Sequence, residues 1–289
     1  YIDYCCLDDY GAKMDQVSAW AGIHYFACRN GEGHEIPSSS ILTWPEGNGH
    51  LSRELAAKQL NNIKLSNLVY NVQKNDDGLF EVLSYDFKTK NINKMVCKNI
   101  IYSSPIFTAN KTVKISNVLE YIKEIEVDYA PWMTANIELD HELNSSDIPL
   151  SWDNVNYHGK SVGYVYAHQQ SISRPTKFKN ITMYWPLLET TSKKARLKAL
   201  VKTHQSWCED IISELELSHS NIRESIKRID VSLWGHAMAI PKPGFLKNKT
   251  LNEKGFYFAH TDLSGISLFE EAFYQGFNAA QKVINGSKA

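Results

Sequence analysis

Apolar residues recur every three or four positions along some stretches and every second position along others, and the two periods divide the chain into segments. Over residues 1–28, Tyr4, Leu7 and Tyr10, then Val17, Trp20 and Ile23, are spaced for two short helices lying against a core. Residues 29–40 form a polar loop with Gly31, Gly33 and Pro37. A strand-like run at 41–44 is then broken by Pro45-Glu46-Gly47-Asn48-Gly49. Leu51, Leu55, Ala56 and Leu60 predict one face of an amphipathic helix. Three strands over 63–72, 79–85 and 95–102 predict a meander, with a hairpin turn at Asn75-Asp76-Asp77-Gly78.

The middle of the chain is richer in aromatic and β-branched residues. Strands are expected over 129–139, 162–169, 181–185 and 226–238. Between them, residues 190–217 read as one long helix. Its inward stripe is Leu197, Leu200, Val201, His204, Trp207, Cys208, Ile211, Ile212 and Leu215. At the end, a buried strand over 255–259 leads into a loop over 260–267, then a helix to about residue 284. Phe269, Ala272, Phe273, Gly276, Phe277, Ala280, Val283 and Ile284 form the apolar stripe of that helix. Ser267 with Glu270 fits a capping box, and Gly276 is placed for close approach to a neighbour.

Composition narrows the function classes. The 289 residues are 43% apolar, enough for a sizeable core in one large or two intertwined units. The formal charge is −1 with no basic stripe, so nucleic acid is not an expected partner. The basic cluster Lys193, Lys194, Arg196 and Lys198 reads as a solvated helix face. Five cysteines are too few for a disulfide scaffold, and Cys5 and Cys6 read as buried free thiols. No apolar run reaches the roughly 18 residues that span a bilayer. A cytoplasmic location is slightly favoured. The chain begins at Tyr1 in what reads like the middle of a helix, so an upstream segment is expected, and a leader on it is left open.

A strand, a polar loop and a helix N-terminus together make an anion site, because the first amides of a helix lack partners and carry partial positive charge. An ordinary capped surface helix is the plainer reading of the same pattern. The residues around it add a resemblance. Phe256-Tyr257-Phe258-Ala259-His260-Thr261-Asp262, then Glu271-Ala272-Phe273-Tyr274-Gln275-Gly276-Phe277-Asn278-Ala279-Ala280, resemble the C-terminal FAD signature of flavin amine oxidases and related FAD-dependent oxidoreductases. Pro45-Glu46-Gly47-Asn48-Gly49-His50-Leu51 with Leu55-Ala56 is similar to a segment that lies near the flavin ring in that family. The stretch from Val69 to Ser104 resembles the family's meander.

The resemblance implies an α/β, mixed α+β fold: an FAD/NAD(P)-binding-like part, residues 38–115 and 246–289, interleaved with a sheet-plus-helices substrate-binding part, residues 1–37 and 116–245. It implies FAD as cofactor. Asp262 would stand near the ribityl and pyrophosphate groups, Leu263, Ser264, Ile266 and Phe269 along the flavin, Val69 at the adenosine half, and Gly47 and Gly49 against the ring. A helix start near Ser267 would stabilise a reduced flavin by about 1 kcal/mol.

The sequence departs from the family in several places. His260 replaces a glycine, which implies a looser loop. The positions of the family's substrate aromatics fall at Leu268 and in the stretch 236–240, so no amine cage is evident. The opening strand-GxGxxG-helix is missing: Gly47 and Gly49 are followed by Ser52, and Gly31 and Gly33 by Ile36, at the third glycine position. The phosphate-binding module is therefore expected upstream of Tyr1 or on another chain, and this chain alone is not expected to retain FAD.

Other chemistries fit less well. His24, Cys28, His34 and His50 match no zinc spacing, so no metal is expected. No Gly-x-Ser-x-Gly nucleophile elbow occurs. Trp234 and His236 are the catalytic candidates, with a role as packed-core residue or strand-end aromatic preferred for them. Tyr164 and Tyr166 share one strand face and could line the same cavity. The expected activity is hydride transfer from a C–H bond of a small-molecule substrate to flavin. The alternatives are a flavoprotein isomerase or mutase, and a non-catalytic remnant or interaction module of the same fold. An oligomer is compatible with each.

Overall fold

A computed structural model describes residues 1–28, 44–141, 143, 151–166, 179–245 and 251–286. The polar loop expected over 29–40, most of the strand expected over 41–44, and His34 lie outside them. In chain order the described elements are α1 (Ile2–Tyr10), α2 (Ala19–Ala27), α3 (Asn48–Ala57), β1 (Asn67–Lys74), β2 (Phe80–Asp86), β3 (Asn91–Cys97), β4 (Ile100–Tyr102), α4 (Ile106–Thr112), α5 (Ser116–Ile125), β5 (Tyr129–Leu139), β6 (Asp153–Asn154), β7 (Gly163–Tyr166), β8 (Lys179–Pro186), α6 (Ser192–Val201), α7 (His204–Glu216), α8 (Ile222–Ser225), β9 (Ile226–Ala239), β10 (Phe256–Phe258) and α9 (Phe269–Gly286). The mixed α/β class is as expected. Two compact units result, one from Tyr1–Gly47 with Asp128–Ile240, the other from Asn48–Val127 with Pro241–Ala289. The sequence reading set its breaks at 37/38, 115/116 and 245/246; α5 goes with the second unit because Val118 and Ile122 are buried in that unit's core.

The first unit is built on an antiparallel sheet with strand order β6-β7-β8-β5-β9. Alternation decides its faces. Met133, Ala135, Ile137 and Leu139 of β5 are fully buried and lie beside Ile181, Met183 and Trp185 of β8 in one cluster with α7. The helix contributes Trp207, Ile211, Ile212 and Leu215, and each such side chain contributes about 1.5–3 kcal/mol of transfer free energy. The opposite face carries polar positions such as Thr134 and Asn136, except near Trp132, where α1, α2 and the segment joining them cover it with Tyr10, Ala21 and Val17. Tyr10 Oη donates to the Ala21 carbonyl at 2.7 Å and ties these two helices together.

The single helix expected over 190–217 is two helices. The backbone turns extended at Lys202, and Thr203 restarts it, its Oγ1 accepting from Ser206 N–H at 3.2 Å. The break resets the helical phase. Small residues of α6, Ala195 and Ala199, are buried, while Leu197, Leu200 and Val201, expected inside, are exposed. Thr203→Ala should lower stability by about 1 kcal/mol, read from the urea midpoint at unchanged m-value. A neutral result would mean the cap does not hold the restart.

In the second unit β1, β2 and β3 form the expected antiparallel meander, turned at 75–78, where Asn75 Oδ1 accepts from Leu79 N–H at 2.9 Å. The strand expected over 95–102 is divided. Its first part ends β3; its second is β4, which pairs in parallel with β10 through Ile100↔Phe256, Ile101↔Tyr257 and Tyr102↔Phe258. The junction is tight: Gly255 has φ +84°, a Cβ there would stand 2.7 Å from Lys98 O, and its carbonyl accepts from Ile100 N–H at 2.8 Å. Phe80, Tyr102, Phe256 and Phe258 then pack with Ile106, Ala109, Val118 and Ile122 of α4 and α5.

Two helices of this unit depart from expectation. In α3 no residue is buried, and Leu55 is exposed. In α9 the expected core stripe is largely uncovered: Ala279 is buried, but Phe273 and Phe277 are 53% and 54% exposed. A Cβ at Gly276 would meet nothing within 4 Å, so no close helix contact explains that glycine. The helix also starts at Phe269, later than a Ser267 capping box requires. Among the described residues, no helix is long and apolar enough to cross a membrane.

Candidate functional site

Strands β4 and β10 run the same way, so their carboxyl ends lie together, the position at which parallel sheets bind ligands. Ala259 N–H donates to Tyr102 O at 3.0 Å just past the strand ends. Beyond β4 the chain enters α4 through Ser103-Ser104-Pro105; beyond β10 it makes a tight 3-10 turn over Thr261–Leu263. Asp262 joins the two. Its side chain is 2% exposed, and Oδ2 accepts from Ile106 N–H, the first amide of α4, at 2.8 Å. That bond is charge-assisted and meets the positive end of the helix, which makes it the polar fastening of the loop.

His260 tightens this loop where a looser one was expected. Its Nδ1 accepts from Asp262 N–H at 3.1 Å, supplying from a side chain the closure that a glycine gives by conformation. The same Nδ1 stands 3.1 Å from Asp262 Oδ1. Ser264 Oγ donates to Thr261 O at 3.1 Å and accepts from Ile266 N–H at 3.3 Å, carrying the chain toward α9. Ile266 is buried and Phe269, the first residue of α9, is partly so. Glu270 and Glu271 occupy the first turn of α9, so carboxylates already stand at the helix end that was expected to face an electron-rich ring.

A groove of about 290 Å³ opens beside the turn, lined by Asp262 and Leu263, by the apolar Tyr121, Ile125 and Val127, and by Lys242 and Phe245. Glu124 and Glu126 add negative charge to its rim. Burial holds the Tyr121 phenol above its ordinary pKa, so it stays a neutral donor. Of the eight residues named for the cofactor, Asp262 and Leu263 line this groove. Ser264, Ile266 and Phe269 continue from it along the chain. Val69 stands on β1, 38% exposed, in the meander. Gly47 has φ +57° in a turn closed onto Trp44 O, and Gly49 is in the first turn of α3; a Cβ at Gly47 would meet nothing within 4 Å, and one at Gly49 would meet the Arg53 side chain at 3.6 Å.

Trp234 and His236 are on β9, at the sheet edge and near the strand's end, where a strand-end role was one of the two expected for them. Trp234 is 56% exposed with Nε1 donating to Thr134 Oγ1 at 3.0 Å. His236 lies in a bulge, since Trp132 pairs with Trp234 but Ala130 with Met238. Pro131 causes the irregularity, having no N–H for the ladder. Arg196 pins it, one guanidinium nitrogen donating to Tyr129 O and Gly235 O, each at 3.2 Å. Partial desolvation and, after it, the Arg196 charge hold the His236 imidazole below its usual pKa, so it is neutral at pH 7. Tyr164 and Tyr166 are core residues; Tyr164 Oη bonds His219 Nε2 at 2.6 Å, and burial pushes its phenol up to about 12. Among the described residues no three His, Cys, Asp or Glu side chains are grouped to hold a metal ion.

Sequence reasoning missed the Ile106 amide, the His260 cap and the Tyr121–Val127 wall. The Ser103-Ser104-Pro105 stop before an apolar helix was the one signal for the first.

No family model and no curated protein matches the sequence. Solved structures do match. Cyclohexylamine oxidase from Brevibacterium oxydans IH-35A aligns over 84% of this chain and 53% of its own, at TM-score 0.60 and 11% identity. A protein assigned as a protoporphyrinogen oxidase from Exiguobacterium sp. 255-15 aligns over 96% and 63%, at 0.61 and 10%. An oxidoreductase from Methanosarcina mazei aligns over 97% and 63%, at 0.62 and 13%. The chain therefore has the fold of the amine oxidase and protoporphyrinogen oxidase class of oxidoreductases. It spans between about half and two-thirds of the length of each of these proteins.

Proposed function

We propose that this chain is part of an FAD-dependent oxidoreductase that transfers hydride from a C–H bond of a small-molecule substrate to flavin. The observation that carries the reading is the loop fastening at the carboxyl ends of β4 and β10, where Asp262 and the groove beside it stand. These residues fit one end of such a cofactor. The groove offers an apolar wall for a ring, a neutral phenol and a lysine, and Leu263 and Ser264 would orient the flavin while the Tyr121 side excludes water. No glycine-rich phosphate cradle occurs in the sequence. The phosphates would be held by a further segment of the same protein. Support for such a segment comes, among the described residues, from a parallel sheet of two strands, a type found with more strands and with both faces covered, and from the exposed stripe of α9.

When bound, the flavin supplies the redox chemistry, and the protein supplies orientation and electrostatics. Substrate would be met by the first unit, whose sheet presents Thr134, Asn136 and Trp234 on its polar face.

The test uses the protein with all of its natural sequence. Asp262→Ala should weaken flavin retention about tenfold, and orphaning the Ile106 amide should cost about 1–3 kcal/mol of stability. Asp262→Asn, which keeps an acceptor for that amide and so the position of the turn, should recover most of the stability and most of the retention. Visible flavin absorption that survives Asp262→Ala unchanged would remove Asp262 from the site. A colourless parent protein that melts normally would remove the flavin.

A further inference from the structure

Between the helix-covered face of the five-stranded sheet and helices α6 and α7 lies a cavity of about 230 Å³ that the reading above leaves unused. Its floor is apolar: Trp185, Leu187, Ala195, Ala199 and Trp207. Its rim is charged, with Lys160, Lys198 and Lys202 against Glu189 and Asp210. Three cations against two anions leave the rim at +1.

The pairing within the rim is uneven. Lys202 is paired with Asp210, and its ammonium stands 4.1 Å from the Trp207 ring centroid, a cation–π arrangement. Lys160 reaches Glu189 only at 4.0 Å, with both side chains largely in water, so that pair contributes little. Lys198 has no carboxylate partner among the described residues. Burial first, and then the Lys160 charge against an opposing Glu189, hold Lys202 below its ordinary pKa. An anion beside Lys198 would offset the rim's net charge of +1. Two indoles on the floor favour a planar apolar body. The volume falls below the roughly 300–1,000 Å³ of sites for drug-sized ligands, which restricts the occupant to a small molecule.

We propose that this cavity is a binding site for a small aromatic carboxylate, its ring on Trp185 and Trp207 and its carboxylate on Lys198 and Lys202. The proposal is independent of the flavin reading, since it involves α6, α7 and the sheet alone.

The experiment is a calorimetric titration of the protein with 2-naphthoate, compared with 2-naphthylmethylammonium, which has a similar body and the opposite charge. Saturable binding of the acid with one site per chain is expected, weakening with added salt. Lys198→Gln, on the exposed rim where folding is not at risk, should weaken it about tenfold. Ala199→Leu, which fills the floor, should abolish it. The proposal is overturned if the acid does not saturate, if the ammonium compound binds equally well, or if Lys198→Gln binds like the parent.

Discussion

Phe256→Ala should destabilise the protein by about 3–5 kcal/mol, measured as a fall in the urea midpoint. The ring is 2% exposed at the centre of an aromatic group. It stacks on Tyr102 at 6.0 Å and meets Phe80 at 6.1 Å and Phe258 at 5.3 Å, both edge-on. Because it stands on β10 opposite Ile100, the cavity left by truncation would open between the parallel strands, where neither backbone can relax without breaking the ladder. Such a loss is much larger than the aromatic pair terms of about 0.5–1.5 kcal/mol, so burial and cavity formation dominate it. Phe277→Ala is the control. It removes the same side chain from an α9 position that is 54% exposed, and its effect should stay within about 0.5 kcal/mol. Equal effects at the two positions would mean that the buried cluster has been misplaced.

That contrast shows how far the sequence could be read. Periodicity tells which residues share a face, but it does not tell whether anything covers the face. In β5, β8 and α7 the apolar faces meet each other within one unit, so Met133, Met183 and Ile211 are buried as their spacing predicts. In α3 and α9 the stripes are equally regular, yet Leu55 and Phe273 are exposed. The division of the 95–102 run was hidden for a different reason. β4 is distinguished from β3 only by a partner strand far along the chain, and local pattern carries no record of it. Loop closure over such a distance is likewise what the Ile106–Asp262 bond accomplishes, across 156 residues.

The candidate site was legible in part for the same physical reason. Strand, turn and helix signals after residue 255 are local and located the segment. What Asp262 does there is not local. The resemblance to flavin amine oxidases pointed to this carboxylate as a cofactor contact, whereas one of its oxygens is spent on Ile106. Its influence on any ligand in the groove would therefore be exerted largely through the position of the turn.

Gly265→Ala tests that connection between turn and groove, and it should cost about 2–5 kcal/mol. Gly265 has φ +71°, a left-handed conformation that costs a residue with a Cβ about 1–2 kcal/mol. The added carbon would also stand 2.9 Å from Pro241 Cβ and 3.1 Å from Phe245 Cε1, and overpacking of that kind costs about 1–3 kcal/mol more. Phe245 lines the groove, so the strain falls on the groove's own wall. If the groove holds the flavin, Gly265→Ala should reduce retention in the full protein by more than a Thr203→Ala variant does once both are compared at equal fractions folded. Thr203 provides the baseline because its cap is in the first unit and touches no groove residue. Retention that tracks stability alone in both variants would separate the turn from the cofactor. A Gly265→Ala protein as stable as the parent would show that the turn can relax, and with it the claim that this glycine fixes Phe245 would fall.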